Sequence, residues 1–104
     1  MYINSNLGTV RIVAGSTYTL QGVEDQVEVD PGAGNVCAMT DSINPGPGSQ
    51  ITLVIKSGSL TFTPQQKLNG SASVQTWTAG IVVLTSVGDG NWTSYSIGAA
   101  VSVP

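Results

Sequence analysis

The chain has 104 residues, which fits one domain spanning 1–104. It carries three Lys or Arg against six Asp or Glu, for a net charge of −3, and it has no histidine. This composition argues against nucleic-acid binding, which needs clustered cations, and it excludes a Ser-His-Asp triad. We therefore expect a protein that is not an enzyme and that holds no cofactor or metal.

Stretches in which apolar or β-branched residues alternate with polar ones recur along the whole chain, as is typical of strands with one face toward a core. The stretch 35–44, the longest without Gly or Pro, lacks a charged helical face, so no helix is expected. The predicted strands, in chain order, are residues 9–13, 17–20, 27–30, 36–39, 51–56, 60–63, 73–77, 81–84 and 92–97.

Between these stretches lie residues that tolerate the positive φ angles of turns. Asp89-Gly90 is the strongest hairpin signal, and Gly15-Ser16, Asn69-Gly70 and residues 31–34 are further turns. Residues 44–48 contain two prolines, which lack N–H donors, so they predict a surface loop. The number and spacing of the strands favour an all-β fold: a small antiparallel sandwich, a barrel or a β-prism.

The strand 81–84 is apolar on both faces, because Val82 and Leu84 lie opposite Ile81 and Val83. Such a strand is either central in a sheet or covered by another chain. These four residues are therefore the candidate subunit interface. On this hypothesis Val82→Asp disrupts assembly more than folding.

Other residue types offer few chemical sites. The acidic cluster Glu24, Asp25, Glu28 and Asp30 could supply calcium ligands, although a solvated strand face is the favoured interpretation. Trp77 and Trp92 are candidate glycan contacts, and a core or subunit-contact role is favoured for both. The single cysteine, Cys37, is expected to be a small buried residue.

No stretch approaches the ~20 apolar residues of a membrane helix, and the first residues do not resemble a signal peptide. We therefore expect synthesis in the cytoplasm and no membrane partner.

The order of several segments resembles the β-rich modules of bacteriophage virion proteins, found in head decorations and tail fibres. The resemblance runs from Tyr18 to Trp92 and lies in short Thr- and Val-rich strands, Gly and Asn turns, and a closing strand, turn and tryptophan. The segments that carry it are residues 18–20, 25–30, 50–56, 68–70, 81–86 and 89–92.

The resemblance implies a homotrimeric appendage on the external surface of a virion, made in the host cytoplasm and bound to the major capsid protein or another virion protein. No internal repeat of a fibre shaft is visible, and the chain is short for one, so a capsid-decorating (cement) protein is favoured. The alternatives are a tail-fibre or receptor-binding module that recognises host surface glycans, and a carbohydrate-binding domain.

Overall fold

The computed structural model of the protein describes residues 8–21, 24–41, 46–98 and 101–102. Every regular element in these ranges is a β-strand, so the all-β prediction is confirmed. The strands are β1 (Gly8–Val13), β2 (Thr17–Leu20), β3 (Glu24–Asp30), β4 (Val36–Asp41), β5 (Gln50–Thr63), β6 (Gln75–Gly88), β7 (Asn91–Ile97) and β8 (Val101–Ser102).

The strands form one sheet with two ladders of paired segments. The first ladder contains β1, β3, residues 50–55 of β5, residues 80–88 of β6, and β7. The second contains β2, β4, residues 59–63 of β5, residues 75–78 of β6, and β8. Before β6, the chain passes from the first ladder to the second three times, in β1–β2, β3–β4 and β5. We call each of these three passages a rung.

Successive rungs run in the same direction, and this overturns the predicted antiparallel sandwich. The pairs β1–β3, β3–β5, β2–β4 and β4–β5 are parallel, whereas β6 pairs antiparallel with β5, β7 and β8. The sheet is therefore mixed. It curls like half of a barrel, so the predicted barrel or β-prism fits only in part.

Glycine turns explain why the strand direction was predicted wrongly. Gly15 has a φ of 78°, and it lies in the short connection between β1 and β2, which do not pair with each other. Residues 31–35 join β3 to β4 in the same way. These turns lead the chain around a corner into the other ladder. A hairpin turn would instead have reversed the chain, so that the two consecutive strands paired with each other.

Two long strands replace four predicted short ones. Residues 51–56 and 60–63 belong to β5, and residues 73–77 and 81–84 fall largely within β6, each strand being 14 residues long. The β5 register shifts between Ile55 and Ser59, where Gly58 has a φ of 62°. A Cβ on Gly58 would lie 2.4 Å from the carbonyl oxygen of Asn35, so the bend of β5 packs tightly on the corner between β3 and β4.

The core lies on the inner face of the curled sheet. A row of directly paired residues, Val10, Val27, Leu53 and Val82, crosses the first ladder, and the last three are fully buried. Burial of each such side chain contributes ~1.5–3 kcal/mol. From the second ladder, Phe62 and Trp77 stack with ring centroids 6.1 Å apart. The other buried apolar residues of the core cluster are Ile12, Leu20, Val29, Cys37, Met39, Ile51, Ile55, Leu60, Leu68, Leu84 and Trp92.

The hairpin prediction is confirmed. Asp89 and Gly90, with φ angles of 57° and 78°, connect β6 to β7. Asn69 and Gly70 also form a turn, with φ angles of 51° and 81°. The predicted loop 44–48 lies partly outside the described residues, and its described part includes Gly48, whose N–H donates to the carbonyl oxygen of Ser86 at 2.8 Å.

Candidate functional site

The β6 segment 81–84 has two different faces, as its sequence predicts. Val82 and Leu84 are fully buried in the core, whereas Ile81 and Val83 point to the outer face of the sheet. Of these four residues Ile81 offers the most surface to a partner chain, because Val83 is only 8% exposed. The structure places half of the candidate subunit interface inside the protein.

Ile81 and Val83 belong to an apolar patch on the outer face. Ile81 pairs with Ile97 of β7, and Val83 pairs with Tyr95. Directly paired residues of neighbouring strands point to the same face, so these four side chains lie together. Tyr95 and Ile97 are 55% and 59% exposed and Ile81 is 36% exposed, while Val83 is nearly covered. We call these four residues the outer strip.

The outer strip has no charge on its own strands, because neither β6 nor β7 contains Asp, Glu, Lys or Arg. Thr85 and Thr93 form the next pair on the same face. Charge lies instead toward β1 and β3, so the outer face of the first ladder is apolar at one side and charged at the other.

Arg11, Glu28 and Lys56 form the charged side. Arg11 Nε and Lys56 Nζ each lie 3.4 Å from Glu28 Oε1. Arg11 Nη2 also donates to Asp30 Oδ2 at 2.9 Å, and Ser57 Oγ donates to Asp30 Oδ1 at 2.6 Å. The hydrogen bond from Ser57, and then that from Arg11, lowers the pKa of the Asp30 carboxyl. Two of the three cations of the chain are thereby held in ion pairs.

The acidic cluster is divided by the fold. Glu28 and Asp30 face outward, as the solvated-face interpretation predicts, and both contact Arg11. Glu24 is buried and accepts hydrogen bonds from the Tyr18 hydroxyl and the Gln21 N–H. Burial, and next the bond to Glu24, raises the pKa of Tyr18. Within the described ranges no three His, Cys, Asp or Glu residues come together as metal ligands.

Both tryptophans lie in the core. Trp77 and Trp92 are each 1% exposed, so neither ring offers a face on which a sugar could stack. The Trp92 Nε1–H donates to Asp41 Oδ2 at 2.9 Å. This arrangement matches the core role that the sequence favoured for both residues.

Asp41 is a buried polar residue that sequence reasoning missed. It is 3% exposed and also accepts hydrogen bonds from Gln65 N at 2.9 Å and Gln65 Nε2 at 3.2 Å. The signal was its position: Asp41 falls in the same alternating phase as Cys37 and Met39, which both point into the core. An acidic residue in an inward phase indicates a buried hydrogen-bonded carboxylate.

Cys37 is fully buried, as predicted. Its Sγ lies 3.1 Å from the carbonyl oxygen of Val13. Burial raises the pKa of the thiol, and the negative charge of Asp30 raises it further. The residue therefore packs as a small apolar group, and both its burial and the charge of Asp30 disfavour the thiolate.

The free edge of β7 is covered by the segment 67–69. Trp92 N donates to the Lys67 carbonyl oxygen, and Asn69 N donates to the Trp92 carbonyl oxygen, both at 2.8 Å. The Asn69 side chain continues this pairing: Ser94 N donates to its Oδ1 and its Nδ2 donates to Ser94 Oγ, both at 2.9 Å. These bonds cap the β7 edge at Trp92 and Ser94.

The opposite edge of the first ladder is different. β1 pairs with β3 on one side, and no other strand in the described part of the chain pairs with its second side. The first ladder thus has one edge, at β7, that is capped at Trp92 and Ser94, and one edge, at β1, that no other strand among the described residues pairs with.

Comparison with known proteins adds no assignment. No protein-family model matches the sequence, and no curated protein matches it. The described surface holds no pocket. Across the described ranges, no helix is long and apolar enough to cross a membrane.

Proposed function

We propose that the chain is a non-enzymatic structural protein of a bacteriophage particle, which decorates the outside of the head as a homotrimer and stabilises the shell. The proposal begins from the resemblance of residues 18–92 to phage virion modules. The observation that carries it is the outer strip, in which Ile81, Tyr95 and Ile97 are 36–59% exposed on strands without charge. Exposed apolar patches of this kind mark protein–protein contacts.

In this role the outer strip would contact a sister subunit or the major capsid protein. An uncharged apolar surface is suited to a protein partner, because its burial removes apolar area from water without desolvating a charge. The protein would be made in the host cytoplasm and added to the external surface of the particle. The pairing of Arg11 and Lys56 with Glu28 agrees with a role that does not involve nucleic acid.

A tail-fibre module is the second candidate, and one observation favours it. Three rungs stack in parallel register, from β1–β2 through β3–β4 to β5, which is an arrangement suited to an elongated shaft. Recognition of a host glycan in such a module would need a surface other than Trp77 and Trp92, since both indoles are buried.

Copy number in intact particles separates the two candidates. Quantitative mass spectrometry of purified particles should give a number that matches the symmetry lattice of the head. A number of only a few copies, matching the tail, would move the assignment to the second candidate. Absence from purified particles would contradict both.

The outer strip itself is tested with a double variant, Tyr95→Ser with Ile97→Ser. Light scattering should show that the wild type is a trimer and that the double variant is monomeric, because the variant loses the two most exposed apolar side chains of the strip. Thr93→Ser, an exposed change on the same strand, is the matched control and should remain trimeric. If the double variant remains trimeric and also binds particles as the wild type does, the strip is not the contact surface.

A further inference from the structure

The two edges of the first ladder differ in how their backbone N–H and C=O groups are paired. At β7, the segment 67–69 occupies the backbone groups of Trp92, and the Asn69 side chain occupies the N–H of Ser94. At β1, Ser16 binds the N–H and the carbonyl oxygen of Val13, and no described strand pairs with the rest of the edge. Capping is a common means by which proteins stop sheets from pairing with other chains, so the edge without a cap is the one at which a strand can be added.

We propose that the β1 edge binds an extended segment of another protein, and that this segment has an apolar–acidic–apolar pattern. Main-chain hydrogen bonds to an exposed edge supply affinity in this mode of recognition, and alternate side chains supply specificity. β1 is six residues long, and with Val13 bound to Ser16 its residues 8–12 are enough to pair with such a segment.

The apolar positions follow from the inward side chains of β1. Val10 and Ile12 face the core and pair with Val27 and Val29 on the next strand. Ile12 is 5% exposed and Val10 is half-buried, so the core extends to the edge of the sheet. A bound strand with apolar residues beside Val10 and Ile12 would continue the inner face and cover Val10.

The acidic position follows from Arg11, which lies between these two residues and points outward. The Arg11 side chain is 61% exposed, and both of its carboxylate partners, Glu28 and Asp30, lie on the β3 side. Paired strands are ~4.8 Å apart, so an acidic side chain beside Arg11 on the bound strand would be within ion-pair reach. A basic side chain there would meet a like charge.

β3 itself shows that this pattern fits beside β1. Its residues Val27, Glu28 and Val29 pair with Val10, Arg11 and Ile12 in register. The proposed segment would place the same apolar–acidic–apolar pattern on the opposite side of β1. The inference is independent of the proposed role in a virus particle and would stand if the protein acted elsewhere.

The test uses the full chain and two labelled heptapeptides with blocked ends, Thr-Thr-Val-Glu-Val-Thr-Thr and Thr-Thr-Val-Lys-Val-Thr-Thr. Fluorescence polarisation should show binding of the Glu peptide about two- to fivefold tighter than of the Lys peptide, the range of an exposed ion pair. Binding should slow amide exchange in β1 and leave β7 unchanged. Versions methylated on alternate backbone nitrogens, made in both alternations, should include one that does not bind.

Two protein variants separate the edge from the rest of the charged cluster. Arg11→Gln should bind both peptides equally, whereas Lys56→Gln, which also removes a cation paired with Glu28 but lies away from β1, should keep the preference. Circular dichroism and the urea midpoint check that both variants fold. The proposal is overturned by any of four results: no binding of the Glu peptide at millimolar concentration, equal binding of all methylated versions, a preference that persists in Arg11→Gln, or exchange protection outside β1.

Discussion

The indole N–H of Trp92 donates a hydrogen bond to Oδ2 of Asp41, 2.9 Å away and 51 residues earlier in the chain. Asp41 ends β4 in the second ladder, and Trp92 lies in β7 of the first. Both side chains are almost completely buried. The bond therefore links the two ladders through the interior, and Gln65, which donates twice to the same carboxylate, attaches the segment after β5 to the same point.

Asp41→Ala should destabilise the protein by about 1–3 kcal/mol, because it leaves the buried Trp92 N–H without an acceptor. Asp41→Asn keeps one acceptor oxygen and should cost less. Urea unfolding at neutral pH measures both. Thr93→Ala, an exposed change beside Trp92, is the control and should stay within about 0.5 kcal/mol of the wild type. Equal stability of Asp41→Ala and the wild type would show that the bond contributes nothing net.

Val82→Asp should prevent stable folding, and this reverses the sequence-based expectation that it acts on assembly. Val82 is fully buried between Leu53 and Ser96 in the register of the first ladder. A carboxylate there would be buried without a designed partner, at a cost of several kcal/mol against a total stability of ~5–15 kcal/mol. Loss of the cooperative thermal transition in circular dichroism is the expected result.

Val82→Ala keeps the same test quantitative if the Asp variant does not express. It removes buried methyl groups and should lower the free energy of unfolding by about 1–3 kcal/mol without changing the oligomeric state. A folded Val82→Asp that differs from the wild type only in oligomeric state would restore the original hypothesis.

Gly58→Ala should be far more destabilising than Gly15→Ala. Both glycines have positive φ, at 62° and 78°, so both substitutions strain the backbone. A Cβ at Gly15 meets nothing within 4 Å, whereas one at Gly58 would lie 2.4 Å from the Asn35 carbonyl oxygen and 2.6 Å from that of Gly32. We expect a loss of about 1 kcal/mol for Gly15→Ala and several for Gly58→Ala, measured by urea unfolding. Equal losses would mean that the bend of β5 yields easily.

Acid should weaken the protein partly through Asp30. In the folded state the hydrogen bond from Ser57, and then that from Arg11, lowers the pKa of Asp30 below its ordinary value of 3.8. As the pH falls, Asp30 is therefore protonated in the unfolded chain before it is protonated in the folded protein. The contribution of Asp30 to stability is therefore present above about pH 4 and is lost as the pH falls through the lower folded pKa. The urea midpoint, followed from pH 5 to pH 2, should fall less steeply in Asp30→Asn and in Ser57→Ala than in the wild type. Equal slopes in all three proteins would exclude this linkage.

Strand alternation predicts the faces of the strands well. It separates Val82 and Leu84 from Ile81 and Val83, and both pairs lie where the alternation puts them. The Asp89-Gly90 hairpin is also local, because two residues with positive φ define it. The direction of neighbouring strands is not local: the same Gly-containing turn can reverse a chain or lead it around a corner, and the choice depends on which strand pairs with which.

The stacked rungs show why a structural repeat can be absent from the sequence. Val10, Val27 and Leu53 are paired in one row, and Ile12, Val29 and Ile55 in another. These rows need only apolar residues of similar size, so the rungs need not share the same amino acids at equivalent positions. The spacing also changes, from 17 positions between Val10 and Val27 to 26 between Val27 and Leu53, because the connections between rungs differ in length.

The charged cluster could be predicted only in part. Alternation places Glu28 and Asp30 outward, but their cations come from β1 and β5, and a parallel sheet is needed to bring Arg11 and Lys56 to the same carboxylate. The apolar character of the outer strip depends likewise on the β6–β7 register, which aligns Ile97 with Ile81.

β6 runs antiparallel to its partners β5, β7 and β8, and this has a consequence for how such a protein can change in length. The three rungs, β1–β2, β3–β4 and β5, all run in the same direction. A duplicated β3–β4 unit could therefore be inserted between two rungs, and the β6–β7 hairpin would still follow β5. The number of rungs thus sets the length of the stack, and duplication of a short gene segment would change it. The β6–β7 hairpin would close the stack in each case.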